Sequence, residues 1–181
     1  MAVCKTLSLT PATRAALASF AHRMPLCPSA THGVAIPAIT PLPPAVIGAL
    51  SALGLGPSGF GTNCNAVGNV PCRLDQPAFA AQFVLAYKAL ANMLPGATSW
   101  NDLDSYGLKH AVESVWLEAG NGHPVYLCNG ALITAALAHD HRVCRRPAPD
   151  DINAVVRLQK DWRQEMRRNL EAVAVTGGFD Q

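Results

Sequence analysis

Prolines divide this chain into short segments, and they limit the structure that each segment can adopt. The sequence has 14 prolines, and five of them fall within residues 25–43. Proline lacks a backbone N–H and clashes with the preceding turn of a helix, so this stretch cannot be helical. We therefore expect residues 25–43 to form an extended arm or linker, and the Gly- and Asn-rich residues 54–74 to form a long loop.

Apolar residues recur every three or four positions in the remaining segments, which predicts helices. Thr10 can cap the first helix, and Pro11 suits its first position because the N–H there has no helical partner. The predicted helices cover residues 11–24, 43–53, 76–94, 105–118, 130–139 and 150–174. Asp75, Asp104 or Ser105, and Asn129 are the expected N-caps of the third, fourth and fifth. Together they predict an all-α fold of about six helices in one domain, residues 1–181.

Charge is scarce and unevenly distributed along the sequence. Only 14% of the residues are charged, and half are hydrophobic, whereas an average soluble domain has roughly 25% charged residues. Residues 1–100 carry five basic residues and one acidic residue, while residues 101–181 carry nine and eleven. Such a weakly charged half predicts burial or an interface, including an interface between two copies of the chain.

The six cysteines do not form a CxxC motif, and no stretch is apolar for long enough to span a membrane. We therefore expect a cytoplasmic protein with reduced thiols and no membrane partner.

Histidines and cysteines are concentrated in the sequence HPVYLCNGALITAALAHDHRVC, residues 123–144. Imidazole and thiolate groups are the usual zinc ligands, which makes this stretch a candidate metal site. The candidate ligands are His123, His139, His141 and Cys144. Their spacing is looser than the paired spacing of structural zinc sites, so a helix with polar ends is the alternative that we favour, and we predict no cofactor.

A second candidate site combines His110, Glu113 and Cys128. His110 and Glu113 are one helical turn apart, so their side chains share a face, as a metal-binding or acid–base pair requires. Cys128 precedes a predicted helix N-terminus, where a thiolate is favoured, so it could act as a nucleophile with His110 as its base. A buried structural cysteine is the alternative.

Basic residues suggest a binding surface for a macromolecule. Arg142, Arg145 and Arg146 form a small cluster, and Lys109 is a further candidate contact. The last predicted helix also carries a basic arc, formed by Arg157, Lys160, Arg163, Arg167 and Arg168. Acidic residues accompany this arc, so a solvated face is favoured over nucleic-acid binding.

The segments SYGLKHAVE (residues 105–113) and VYLCNGALITAAL (residues 125–137) resemble a group of small, uncharacterised proteins encoded by phages and plasmids. The shared pattern is SYxLKHxxE followed by YxxNGxLIxAA. The chain departs from this pattern in a longer EAGNGHP connection between the two helices. No activity follows from the resemblance, but it implies a mobile genetic element as the context.

These observations predict a non-enzymatic protein that binds a protein or ribonucleoprotein partner. The context suggests an inhibitor of a defence complex, with residues 25–43 and 54–74 as its contact surfaces. Two alternatives remain open: an enzyme that uses the region of His110, Glu113 and Cys128, and a helical nucleic-acid-binding protein.

Overall fold

A computed structural model describes residues 5–24, 40–60, 73–93, 99–119, 125–145 and 151–176. Its helices and strands are interspersed along the chain. The helices are α1 (Pro11–Arg23), α2 (Pro44–Ala52), α3 (Pro77–Ala89), α4 (Ser105–Ala119), α5 (Asn129–Ala138) and α6 (Trp162–Thr176). The strands are β1 (Lys5–Leu7), β2 (Leu55–Gly56), β3 (Gly59–Phe60), β4 (Trp100–Asp104), β5 (Val143–Arg145) and β6 (Ala154–Gln159).

The prediction of an all-α fold is wrong, because four of the strands form an antiparallel sheet in the order β1-β5-β6-β4. The main error lies at residues 154–159, which were assigned to the last helix and instead form β6. Ala154, Val156 and Leu158 are fully buried on alternate positions of this strand, as expected for one face of a sheet. Helix α6 begins only at Trp162, after a turn.

α5 is the central helix of the fold, and all ten of its residues are buried. It packs against α1, α3 and α4 and against one face of the sheet. Small residues allow this close packing. A Cβ atom added at Gly130 would lie 2.0 Å from the carbonyl oxygen of Gly56, and the Gly130 N–H donates to the Pro57 oxygen over 2.7 Å. The β2–β3 hairpin is therefore pressed directly onto the start of α5.

The helix-capping predictions are confirmed in part. Thr10 caps α1, where its Oγ1 accepts the Thr13 N–H at 3.2 Å, and Asp104 Oδ1 accepts the Tyr106 N–H at 3.0 Å in the first turn of α4. Asp75 instead forms an ion pair with Arg73. Cys128 occupies the N-cap position of α5 without a side-chain capping bond, because Asn129 belongs to the helix and bonds to other segments.

Both predicted contact segments lie largely outside the described residues, which omit 25–39 and 61–72. The described part of the second segment includes the β2–β3 hairpin, whose strand residues are buried. In the described part of the chain, no helix is both long and apolar enough to cross a bilayer.

Candidate functional site

The start of α4 is fixed to the sheet, and this sets the direction in which the helix presents its side chains. Asp104 ends β4 and caps α4 directly. Ser105 is fully buried, and its Oγ accepts the N–H of Ala154 at 3.0 Å, which joins the helix to the first residue of β6. The solvent-facing side of α4 is therefore held in a constant orientation relative to the sheet.

An exposed stripe of aromatic and apolar side chains follows α4. Tyr106, His110 and Leu117 fall within an arc of about 40° at 100° per residue. Tyr106 is 49% exposed and Leu117 42%, and Tyr126, from the segment that precedes α5, is 59% exposed. We call these four residues, Tyr106, His110, Leu117 and Tyr126, the tyrosine face. Large exposed side chains of this kind, grouped on one side, are typical of binding surfaces.

Lys109 lies beneath the tyrosine face and is almost fully buried, with 4% of its surface exposed. Its Nζ atom lies 4.8 Å from the centroid of the Tyr106 ring and 5.2 Å from that of Tyr126. A cation at this distance from an aromatic face is attracted by the negative charge of the π-system. Lys109 therefore interacts with both tyrosine rings.

Glu113 connects the components of the site. Its Oε1 accepts the N–H of Leu127 at 2.8 Å and lies 3.5 Å from Lys109 Nζ. Its Oε2 lies 2.6 Å from His110 Nδ1. The contact with Leu127 holds the neighbouring Tyr126 against α4, and the contact with His110 orients that ring edge-on to Tyr106 at a centroid distance of 4.6 Å.

His110 and Glu113 thus form the pair that their spacing predicts, whereas the third candidate, Cys128, is buried. Cys128 belongs to the apolar core and is 4% exposed. Its N–H donates to Gln82 Oε1 at 2.6 Å. This burial matches the structural alternative for Cys128, because a nucleophilic thiol has to be reached by its substrate.

The candidate metal ligands do not converge in the described residues. His139 stacks on Tyr87 at a centroid distance of 3.9 Å, with its Nε2 2.7 Å from the Tyr87 carbonyl oxygen, and the ring of His141 lies 5.9 Å from that of His139. Cys144 lies in β5, where its Sγ is 3.5 Å from Thr6 Oγ1. His123 lies outside the described residues. Over the described ranges, no group of three or more His, Cys, Asp or Glu side chains could hold a metal ion.

Several of the candidate basic side chains form ion pairs with acidic residues or contact aromatic rings. The Arg145 guanidinium lies over the Phe60 ring, 5.1 Å from its centroid; Arg142 is exposed, and Arg146 lies outside the described residues. In the predicted basic arc, three of the five residues are paired with acids. These pairs are Arg157–Asp102, Arg167–Glu118 and Arg168–Glu165. The Arg157 hydrogen bond lowers the pKa of Asp102, which keeps that carboxylate charged.

Tyr106 and Tyr126 belong to the pattern shared with the phage and plasmid proteins but are not among the candidate site residues predicted from the sequence. Tyr106 lies one helical turn before His110, so the spacing alone predicts that it lies beside the His110–Glu113 pair. The spacing does not predict the position of Tyr126, because that position depends on the contact between Glu113 and Leu127.

Comparisons with known proteins do not assign the chain to a family. No protein-family model matches the sequence. No curated protein and no solved structure matches it either.

Proposed function

We propose that this protein is a non-enzymatic binding protein that docks on a protein or ribonucleoprotein partner through the tyrosine face. The observation that carries the proposal is the buried Lys109 ammonium between the rings of the two exposed tyrosines, Tyr106 and Tyr126. Tyrosine is enriched at interface hot spots because it supplies a large contact area with few rotatable bonds. Tyrosines that are already held in place lose less conformational entropy when a partner binds.

The distribution of charge favours a protein surface over bare nucleic acid as the contact. Binding to nucleic acid depends mainly on Lys and Arg side chains that neutralise phosphates. Lys109, the cation at the tyrosine face, is buried and lies next to Glu113. The ion pairs of Arg157, Arg167 and Arg168 further reduce the basic surface of the described residues.

The resemblance to phage and plasmid proteins makes a host defence complex the first partner to test, with this chain as its inhibitor. The experiment is a quantitative affinity capture with the wild type and with the double variant Tyr106→Ala/Tyr126→Ala. Ile152→Ala is the matched control, because Ile152 is also a large exposed apolar residue, at 36%. The proposal expects a partner that binds wild type and Ile152→Ala but is lost by at least ten-fold with the double variant. Equal capture by all three proteins would overturn it.

An enzyme is the second candidate, and the bond between His110 and Glu113 favours it. Glu113 binds Nδ1 of His110 and leaves Nε2 for proton transfer, in an imidazole whose side chain is 49% exposed. This arrangement resembles the carboxylate–imidazole part of many acid–base sites. Turnover of ester or phosphoester substrates by the purified protein, abolished by His110→Ala, would replace the binding proposal with this one.

A further inference from the structure

The C-terminal end of α5 is closed by a compact turn. Asp140 has a positive φ of 60°, and its N–H donates to the Leu137 oxygen at 3.2 Å. The N–H of His141 donates to the Ala136 oxygen at 3.0 Å. These two bonds define a Schellman motif, in which the residue after the left-handed position commonly makes an apolar contact with the last turn of the helix. In this chain the residue at that position is His141.

His141 fills this apolar position with a titratable ring. It is 3% exposed, and neither ring nitrogen has a hydrogen-bond partner among the described residues. A neutral imidazole has one donor and one acceptor, so both are buried without a partner. Protonation would add a charge and a second unpaired N–H at the same place, which makes the charged ring far more costly to bury than the neutral one.

The groups around His141 oppose a positive charge on it. The His139 ring lies 5.9 Å away at the end of α5 and stacks on Tyr87 of α3. His22 of α1 packs edge-on against the same tyrosine at 5.8 Å. Burial, followed by the neighbouring His139, lowers the pKa of His141 to about 4. Burial also lowers the pKa of His139.

Two nearby groups act in the opposite direction, and neither neutralises the ring. The carbonyl of Leu90, which follows α3, and the Asp140 carboxylate favour the protonated form of His141, but the ring nitrogens are outside hydrogen-bond geometry. Asp140 instead forms an ion pair with Arg14 of α1 at 2.8 Å. The carboxylate of this turn therefore already has a cationic partner.

We propose that the turn at residues 139–142 is an acid-sensitive switch, in which proton uptake by His141 expels its ring and opens the connection between α5 and β5. Strand β5 begins two residues after His141 and is only three residues long. Among the described strands, β1 pairs only with β5. Opening of the turn therefore loosens the β1 edge of the sheet while the β6–β4 pair remains. This switch is independent of the tyrosine face, which lies on α4 and the segment before α5.

The size of the effect follows from proton linkage. Below the ordinary histidine pKa of about 6.5, the open turn takes up a proton that the closed turn excludes, until the folded-state pKa is reached. The ratio of open to closed turns therefore rises about ten-fold for each pH unit in this range. Above pH 6.5 both states are neutral, and the ratio does not change with pH.

Amide hydrogen exchange, corrected for intrinsic rates, tests the proposal at pH 7.0, 6.0 and 5.0. The protection of the Asp140 and His141 amides should fall by about seven-fold from pH 6.0 to 5.0, close to the ten-fold limit for one proton, while that of α4 amides falls much less. His141→Leu places an apolar side chain at this position and removes the protonation site, so the protection of amides 140 and 141 should change little over the same pH range. The exposed His110 lies outside the turn and provides the control variant His110→Gln, in which the pH dependence of protection at residues 140 and 141 should equal that of the wild type.

Three results would overturn the switch. The first is an unchanged protection of amides 140 and 141 down to pH 5.0. The second is a protection in His141→Leu that falls with pH as steeply as in the wild type. The third is a parallel loss of protection in α4, because that would indicate global unfolding. If His141→Leu does not fold, the ring signals of His141 in the wild type decide the question by NMR. Titration well below pH 6 supports the proposal, and titration near 6.5 refutes it.

Discussion

The side chain of Asn129 joins three segments of the chain, which makes Asn129→Asp an informative substitution. Its Nδ2 lies 3.0 Å from Asn153 Oδ1, 3.2 Å from the Ile152 oxygen and 3.4 Å from the Ser58 oxygen. All three neighbours are acceptors, so the amide nitrogen has to face them. Asn129 is 4% exposed, and its Oδ1 has no hydrogen-bond partner in the described residues.

The substitution to Asp places a carboxylate oxygen where the donor was. The amide nitrogen has two hydrogens for its three acceptors, so two hydrogen bonds worth about 1 kcal/mol each are lost. A buried charge without a donor adds about 2 kcal/mol or more. We expect Asn129→Asp to lower the free energy of unfolding by about 4 kcal/mol at pH 7. Asn129→Ala loses the same hydrogen bonds but buries no charge, and it removes the unpaired Oδ1. Its expected cost is about 2 kcal/mol or less.

Urea denaturation at pH 7 and pH 5, followed by tryptophan fluorescence, separates the two variants. Burial raises the pKa of the introduced carboxyl, so the folded protein takes up a proton that the unfolded chain does not. The deficit of Asn129→Asp relative to Asn129→Ala should therefore shrink as the pH falls, by up to about 1.4 kcal/mol per pH unit. If both variants lose the same free energy of unfolding at pH 7, and the difference between them does not change with pH, the role assigned to Nδ2 is refuted.

Two further substitutions test the packing of α5 and the tyrosine face. Gly130→Ala places a Cβ 2.0 Å from the Gly56 oxygen and should lower the free energy of unfolding by at least about 3 kcal/mol. Gly107→Ala on α4 is its control, since a Cβ atom added there meets nothing within 4 Å. Chemical denaturation should show that this control is more stable than the wild type by up to about 1 kcal/mol. An equal loss of unfolding free energy in both variants would contradict the packing. Lys109→Met removes the cation between the tyrosines, so titration calorimetry with the captured partner should show a several-fold weaker affinity at similar stability. An unchanged affinity would mean that Lys109 does not order the face.

The local features of this fold could be predicted from the sequence where one short motif determines them. The Thr10–Pro11 start of α1 and the pairing of His110 with Glu113 both depend on residues within one helical turn. The bond from Thr13 N–H to Thr10 and the 2.6 Å contact between His110 and Glu113 confirm these two predictions.

The sheet was missed because its strands have weak local signals. β1 and β5 contain three residues each, which is too few to show an alternating pattern. In β6, Val155 fits either a helical or an extended pattern, and only the burial of Ala154, Val156 and Leu158 distinguishes the two. The extended conformation of these residues depends on pairing with strands that are distant in sequence, and the local pattern does not show this pairing.

The role of Asn129 could not be predicted for a related reason. An Asn before a run of apolar residues is a good N-cap, and the sequence does not show that carbonyl groups of Ser58 and Ile152 lie within reach of its amide. The same holds for Lys109, whose burial depends on Tyr126 being brought to α4 by Glu113.

The order of strands in the sheet has a consequence for the synthesis of the protein. β6, at residues 154–159, pairs with both β4 and β5, and β1 can pair only after β5, at residues 143–145, has been synthesised. A growing chain therefore cannot assemble the four-stranded sheet until residues 154–159 have left the ribosome. Until then the apolar side of α5 has no sheet to cover it, and the nascent chain is exposed to aggregation. Chaperone binding during translation should be strongest after α5 emerges and should end once β6 has emerged from the ribosome.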